Sequence, residues 1–416
     1  MYFMNSVKTK FNIWFFICIF IVSCNKNKDN HELSDEYSLV KNTEKTHVFK
    51  IGNDVHYLTI SLFPFKDAGG NKYLTFQNGV SNEILFYNME NPNLLFKVTP
   101  NIEGPNGVGM FLGYHIEDID KIYLTVPGRP VLFQINKNGD ILQKIEYEKT
   151  DNGKPIIPFF LSTSDVHSPL IIINNNFYFT QMRNRSLTLT TSPVSGYIDT
   201  LTHSVNVLPF YFPPIMNDQE IAEYTMGNEL CFSRIFDGNK FIYSFFLDEY
   251  IYSTSINHEI VDKKRVNSRY MNKLYKPRTR PEEIQSGLKK LCEIAIYGNL
   301  IYDQYRQVYY RVAYPETEME EDADYLEIYR TGRKKFSITI LDKNMNIIGE
   351  TLFPEYTYIS NAVFVDEDGL HIRTNHQKNP DFQEDLFIFD CFELIKNKER
   401  KKTNRQTWAK SFCAVL

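Results

Sequence analysis

The sequence is poor in several features that would otherwise point to a chemistry. It has six cysteines in 416 residues, and no two are spaced Cys-x-x-Cys, so a structural zinc site of that kind is not expected. No Gly-x-Ser-x-Gly occurs, which together with the length excludes a peptidase propeller carrying a hydrolase domain. Walker and dinucleotide-binding glycine patterns are also lacking. There is no basic excess: the net charge is -5 at pH 7, which argues against nucleic acid as a partner. Helical periodicity does not alternate with the β-rich runs, which disfavours a doubly wound α/β fold. The apolar run at 11–22 is too short to span a bilayer comfortably.

What is present begins with an address. Lys8 and Lys10 precede the apolar run, giving it the length and flanks of a signal peptide. The run ends Ile21-Val22-Ser23-Cys24, which resembles the lipobox of bacterial lipoproteins. The resemblance implies cleavage after Ser23 and lipid on Cys24; Val22, where Ala or Ser is commoner, is a mild departure. Asn25 in place of Asp implies, by analogy with lipoprotein sorting, the outer membrane, with either leaflet open. Residues 1–23 are thus expected to be a lipoprotein signal peptide, and the polar residues 24–44 a lipid anchor and flexible tether. At the other end, 396–416 is rich in Lys and Arg and reads as a solvated, disordered basic tail, with anionic lipid headgroups as the functional alternative. Cys231, Cys292, Cys391 and Cys413 remain in a compartment that permits disulfides; buried thiols are expected, and no pairing follows from the sequence.

Aromatic content is 15%, with 27 Tyr and 32 Phe, which favours strands. Residues 109–147 set the pattern: four β-rich runs separated by turn signals, a four-stranded antiparallel meander. Such a sheet cannot bury both faces alone and needs copies to stack against. Comparable units begin near 57, 169, 230, 300 and 362. The fold class expected is all-β, a six-bladed β-propeller over residues 45–395. Its last unit lacks a fourth strand, while 45–51 is a spare one. Pairing 47–51 with 385–392 closes the ring and removes open edges. One helix is predicted at 281–296, from Pro281 at its start, Glu282 and Glu283 in its first turn, and Leu288, Leu291 and Ile294 on one face.

Three segments, 103–108 (Glu-Gly-Pro-Asn-Gly-Val), 236–245 (Phe-Asp-Gly-Asn-Lys-Phe-Ile-Tyr-Ser-Phe) and 302–311 (Tyr-Asp-Gln-Tyr-Arg-Gln-Val-Tyr-Tyr-Arg), taken with the lipobox, resemble an uncharacterised family of Gram-negative cell-envelope lipoproteins. The resemblance covers about residues 45–395 and implies a TolB-like six-bladed β-propeller domain. It brings no catalytic motif to any position.

First-to-second strand turns are short (117–120, 174–176, 237–239, 366–369), whereas the insertions at 148–168, 182–193, 211–229, 267–297 and 314–334 all belong to the other face. Recognition is expected there. The candidate ligand-binding residues on it are Glu103, Asn106, Arg129, Arg183, Arg185, Arg278 and Arg280; the arginines suit a carboxylate or sulfate. The acidic run Glu316, Glu318, Glu320, Glu321, Asp322, Asp324 lacks the glycine of an EF-hand and reads as a solvated loop rather than a Ca²⁺ site. His371 and His376 would fall on opposite faces of a strand, so no metal ligands are assigned. The expected function is a lipid-anchored, non-catalytic envelope protein that binds a protein, peptide or glycan, with no cofactor. The alternative is a metal-dependent, lactonase-like envelope enzyme, Ca²⁺ being the metal and the central channel its site. The mainly apolar and aromatic first strands favour binding.

Overall fold

The computed structural model describes residues 36–52, 55, 61–126, 129–147, 150, 168–181, 183, 186–217, 219–221, 230–276, 282–374 and 376–397. Cys24 with the signal segment, Arg185, Arg278, Arg280, and the tail after Asn397 with Cys413 lie outside them.

The fold is all-β and propeller-like. Strand β1 (Tyr37–Lys50) comes first and waits for partners from the far end of the chain. Four antiparallel meanders follow: β2 (Leu62–Lys66) to β5 (Leu94–Val98) through β3 (Lys72–Asn78) and β4 (Glu83–Asn88); β6 (Tyr114–Asp118), β7 (Lys121–Val126), β8 (Arg129–Ile135) and β9 (Ile141–Glu146); β10 (Ile171–Ile173), β11 (Asn176–Thr180), β12 (Ser195–Asp199) and β13 (Val205–Val207); and β14 (Phe232–Phe236), β15 (Phe241–Phe245), β16 (Tyr250–Thr254) and β17 (Val261–Arg265). Second strands such as β7 and β15 are buried almost throughout, because each sheet is covered on both faces. Fourth strands carry the polar alternation: β17, Val-Asp-Lys-Lys-Arg, is mostly exposed, and its charges protect an open edge.

The remaining strands do not form two further separate blades, and the six-bladed expectation is corrected here. β18 (Ile296–Asp303), β19 (Val308–Tyr314), β20 (Ser337–Leu341), β21 (Ile347–Leu352), β1, β24 (Leu386–Lys396), β23 (Leu370–Arg373) and β22 (Ile359–Val365) make one eight-stranded sheet in that order. The join is a parallel contact in which Tyr37 of β1 pairs with Gly349 of β21. Leu39 N–H extends it by donating to Thr351 Oγ1 at 2.9 Å. The end strands β18 and β22 also touch, so the sheet doubles back towards closure. The described residues therefore form four four-stranded sheets and one eight-stranded sheet.

The expected pairing of 47–51 with the last strand is present: His47, Val48, Phe49 and Lys50 pair antiparallel with Phe389, Ile388, Phe387 and Leu386. β1 nevertheless starts at Tyr37, inside the stretch read as tether. Its outward face is solvent-exposed, so its composition is polar like that of a linker. A break in register between Asn42 and His47 separates its two halves.

Apolar layers fill the spaces between successive sheets. Phe86 and Ile84 meet Tyr114 and Phe133, Tyr123 meets Phe177, Tyr178 meets Phe241, and Ile242 meets Leu300 and Tyr309. The two halves of the large sheet face each other through Tyr310, Ile338, Ile372 and Phe392. Phe49, Phe387 and Phe389 finally pack on Leu74 and Phe76 of the first sheet.

Two α-helices of the insertions lie wholly within the described residues. α1 (Ile284–Glu293) is shorter than predicted because Glu283 and Ile294 already have extended backbone. α2 (Tyr325–Thr331) was not predicted; Asp324 caps it by accepting Glu327 N–H at 2.9 Å. The helices pack through Cys292, Met319, Tyr325 and Ile328.

Candidate functional site

Three connecting segments meet at one end of the fourth sheet. The first, between β13 and β14, brings Pro213, Pro214, Ile215, Met216 and Glu220; the β15–β16 turn brings Leu247, Asp248 and Glu249; the segment after β17 brings Lys273, Leu274, Tyr275 and Lys276. With Tyr250, Tyr252 and Lys263 they line a cleft of about 500 Å³. Its first wall is held by a reciprocal cap: Glu220 accepts Asn217 N–H at 2.9 Å and Asn217 Oδ1 accepts Glu220 N–H at 2.8 Å.

The floor is the β15–β16 turn. Asp248 accepts the Tyr252 hydroxyl at 2.7 Å and Tyr250 N–H at 3.0 Å, so its carboxylate is already engaged. Beneath it, fully buried Arg311 of β19 donates to the carbonyls of Asp248 (2.6 Å) and Val266 (2.8 Å) and to Ser244 Oγ (2.9 Å). Its guanidinium stacks on Tyr297 at 3.3 Å. Burial lowers its pKa to about 10, which leaves it charged at neutral pH. A rigid fork of donors thus fixes two loops of the fourth sheet onto the next.

The rim carries cations over aromatic rings: Lys263 lies 4.9 Å from the Tyr250 ring and Lys290 lies 5.3 Å from that of Tyr275. Glu249 is paired with Arg265 at 2.8 Å. Lys273 and Lys276 are exposed, and no carboxylate among the described residues pairs with either. Lys273 also borders a second cleft of about 760 Å³, lined by Tyr270, Lys289, Lys290 and Glu293 on one side and Glu316, Glu318 and Glu321 on the other. Two further members of the acidic run are used locally. Asp324 caps α2, and Glu320 binds Lys334 at 2.8 Å and the Tyr356 hydroxyl, contacts that hold its carboxyl down at about 2. Buried Arg333 donates to the Ile294 carbonyl at the end of α1 and lies 4.9 Å from the Tyr314 ring.

Chemically, the first cleft offers tyrosine faces, aliphatic surface and ammonium groups. With Lys273 and Lys276 paired to no carboxylate among the described residues, that suits a ligand with an apolar or ring-shaped body and an acidic group. The described thiols are not poised for chemistry: burial pushes Cys292 up to about 11 and Cys391 up to about 12, and no disulfide joins Cys231, Cys292 and Cys391.

Of the residues singled out in the sequence, Arg129 donates to the Val108 carbonyl at 3.2 Å and lies 5.5 Å from the Phe133 ring, beside the loop that carries exposed Glu103 and Asn106. Arg183 donates to the Leu187 carbonyl at 3.2 Å. None of these four lines either cleft. The tyrosines, the lysines and the Arg311 support were not singled out. Only Lys273, Tyr275 and Lys276 left a trace, as Lys and Tyr recurring in an insertion; Tyr250, Tyr252, Lys263 and Arg311 sit in strands and carry none.

The family model for DUF4221, a domain of unknown function, matches residues 36–352, and the chain belongs to that family. Among solved structures it is similar to a DUF4221 member from Bacteroides vulgatus ATCC 8482, at 25% identity and a TM-score of 0.75, covering 87% of this chain and 99% of that one. A candidate exported protein from Bacteroides fragilis NCTC 9343 is similar at 10% identity and a TM-score of 0.50, covering 87% and 99%. A candidate TolB from Agrobacterium tumefaciens reaches a TM-score of 0.38 at 9% identity, over 86% and 100%, too slight a likeness to bear on the fold. No curated protein matches the sequence. No helix among the described residues is long and apolar enough to cross a membrane.

Proposed function

We propose that this DUF4221 protein is a lipid-anchored, non-catalytic binding protein of the outer membrane, which takes a protein, peptide or glycan partner on its insertion-bearing face. The observation that carries the reading is the meeting of separate insertions around the Tyr250–Tyr252–Tyr275 cleft, with Lys273 and Lys276 exposed on its rim and paired with no carboxylate among the described residues. Insertions that build a concave surface over a buried guanidinium are the form a recognition surface takes on a rigid scaffold. Aromatic faces would carry the partner's rings, and the lysines its acidic groups. The loops bearing Glu103, Asn106, Arg129, Arg183, Arg185, Arg278 and Arg280 are the proposed outer part of the same surface. Cys24 would be the lipid-bearing residue.

The test is comparative recovery of partners from envelope extract with wild type, Lys273→Glu/Lys276→Glu and Arg183→Ala/Arg185→Ala. The lysine variant is expected to lose at least one partner that wild type retains, while melting at the same temperature. Equal recovery by wild type and the lysine variant would overturn the cleft as the binding site.

A further inference from the structure

The short-turn end of the large sheet holds a constellation that the binding reading does not use. His47 of β1 pairs with Phe389 of β24, and His371 of β23 pairs with Cys391 of the same strand. Paired residues, and residues two apart, project from one face of a sheet, so both imidazoles rise on the same side. The β22–β23 turn adds Asp366. His371 Nε2 lies 2.8 Å from Asp366 Oδ1, His47 Nε2 lies 3.9 Å from Asp366 Oδ2, and the two imidazole centroids are 4.9 Å apart. One ligand atom from each of the three falls within 4.8 Å of the others.

We propose that His47, Asp366 and His371 form a site for a divalent transition-metal ion of the zinc class, which clips the N-terminal strand to the last hairpin. Two imidazole nitrogens and one carboxylate oxygen are the donor set that Zn²⁺, Co²⁺ or Ni²⁺ takes, whereas Ca²⁺ and Mg²⁺ require oxygen. Ligands at ~2.0–2.1 Å from a tetrahedral ion stand roughly 3.3 Å from one another, so closing the set takes a modest swing of His47. His47 is the member free to make it: its side chain is 20% exposed, against 13% for Asp366 and 0% for His371. The exposed side also provides the entry path and an open coordination position.

The two inner ligands are held in place. Asp366 Oδ1 accepts the N–H groups of Asp368 (2.8 Å) and Gly369 (3.1 Å), and Arg306 donates to the Asp366 and Glu367 carbonyls at 3.1 and 2.7 Å. Phe364 stacks on the His371 ring at 4.5 Å with 5° between planes. His371 Nδ1 is buried and has no hydrogen-bond partner, so the ring lacks the outer acceptor that strengthens most zinc histidines. An affinity in the micromolar range rather than the nanomolar one is expected on that account. The site stands independently of the cleft.

The experiment uses the full chain, purified in detergent without a histidine tag, stripped with EDTA and titrated calorimetrically with ZnCl₂. Wild type is expected to bind one Zn²⁺ per chain and to melt at a higher temperature with zinc than with EDTA. His47→Gln, at the half-buried rim of the site, is expected to fold as wild type does, bind zinc at least tenfold more weakly and lose the thermal shift; Asp366→Asn should do the same. Co²⁺ is expected to give visible d–d bands with wild type and none with His47→Gln. Undiminished zinc affinity in His47→Gln, no stoichiometric binding by wild type, or displacement of zinc by equimolar Ca²⁺ would each overturn the assignment.

Discussion

The carbonyl oxygen of Tyr37 occupies the place where a Cβ on Gly349 would stand. This close approach lets β1 add to β21 and turns two runs of strands into one sheet. Gly349→Ala forces the strands apart and should cost about 1–3 kcal/mol, the usual range for overpacking. Chemical denaturation reads it directly, and an unchanged midpoint would show that the Tyr37–Gly349 pairing contributes nothing to stability.

Arg311 should matter as well. Replacing it with Met keeps most of the volume but leaves the Asp248 carbonyl buried without this donor, at about 1–3 kcal/mol, and leaves the Val266 carbonyl only the Tyr297 hydroxyl at 3.1 Å. A loss of about 1–3 kcal/mol is expected, together with loosening of residues 246–250 seen as faster amide hydrogen exchange. Arg311→Lys should rescue little, because one ammonium cannot reach the acceptors that the fork spans. Full rescue by lysine would mean that charge alone is required.

Stability should fall as pH drops from about 6.5 towards 4. Burial lowers the pKa values of His115, His258 and His376 to about 4, below their value in the unfolded chain. Between those limits the unfolded state binds the protons and the folded state does not. The stabilisation is complete above about 6.5 and is lost as pH falls through the window, at up to about 1.4 kcal/mol per pH unit for each histidine. Urea midpoints at pH 7, 6 and 5 measure the slope. His258, which accepts the Tyr243 hydroxyl and donates to the Ile256 carbonyl, is the one to replace; His258→Asn should flatten the profile. A wild-type midpoint that does not move between pH 7 and 5 would refute the account.

Cys24→Ala should abolish labelling by radioactive palmitate and move the protein from the membrane fraction to the soluble one. Continued membrane association of the unlabelled variant would place the anchor elsewhere.

Much of the strand plan was legible locally. The unit 109–147 announces β6 to β9 through alternating apolar runs and polar turns, because each short strand must bury one face or both. The partner of 47–51 was legible by elimination, from a last unit one strand short. The start of β1 at Tyr37 was hidden because a strand with one solvent face has the composition of a tether. The helix α2 was hidden in an acidic run whose capping residue, Asp324, looked like one more solvated carboxylate.

The sequence by itself determined that the chain would be all-β, built of repeated meanders, and tied together by its two ends. Periodicity, turn chemistry and aromatic content are local properties, and local properties suffice for that. Tertiary structure alone decided the rest. Joining two runs of strands into one sheet depends on Gly349 meeting Tyr37, more than three hundred residues away in the chain. The cleft depends on two insertions and the β15–β16 turn meeting over Arg311. His47 reaches Asp366 and His371 only through the register of β1 on β24. Contacts between residues so distant in the chain leave no periodic trace, since each residue is placed by the sheet that carries it and not by its neighbours in sequence.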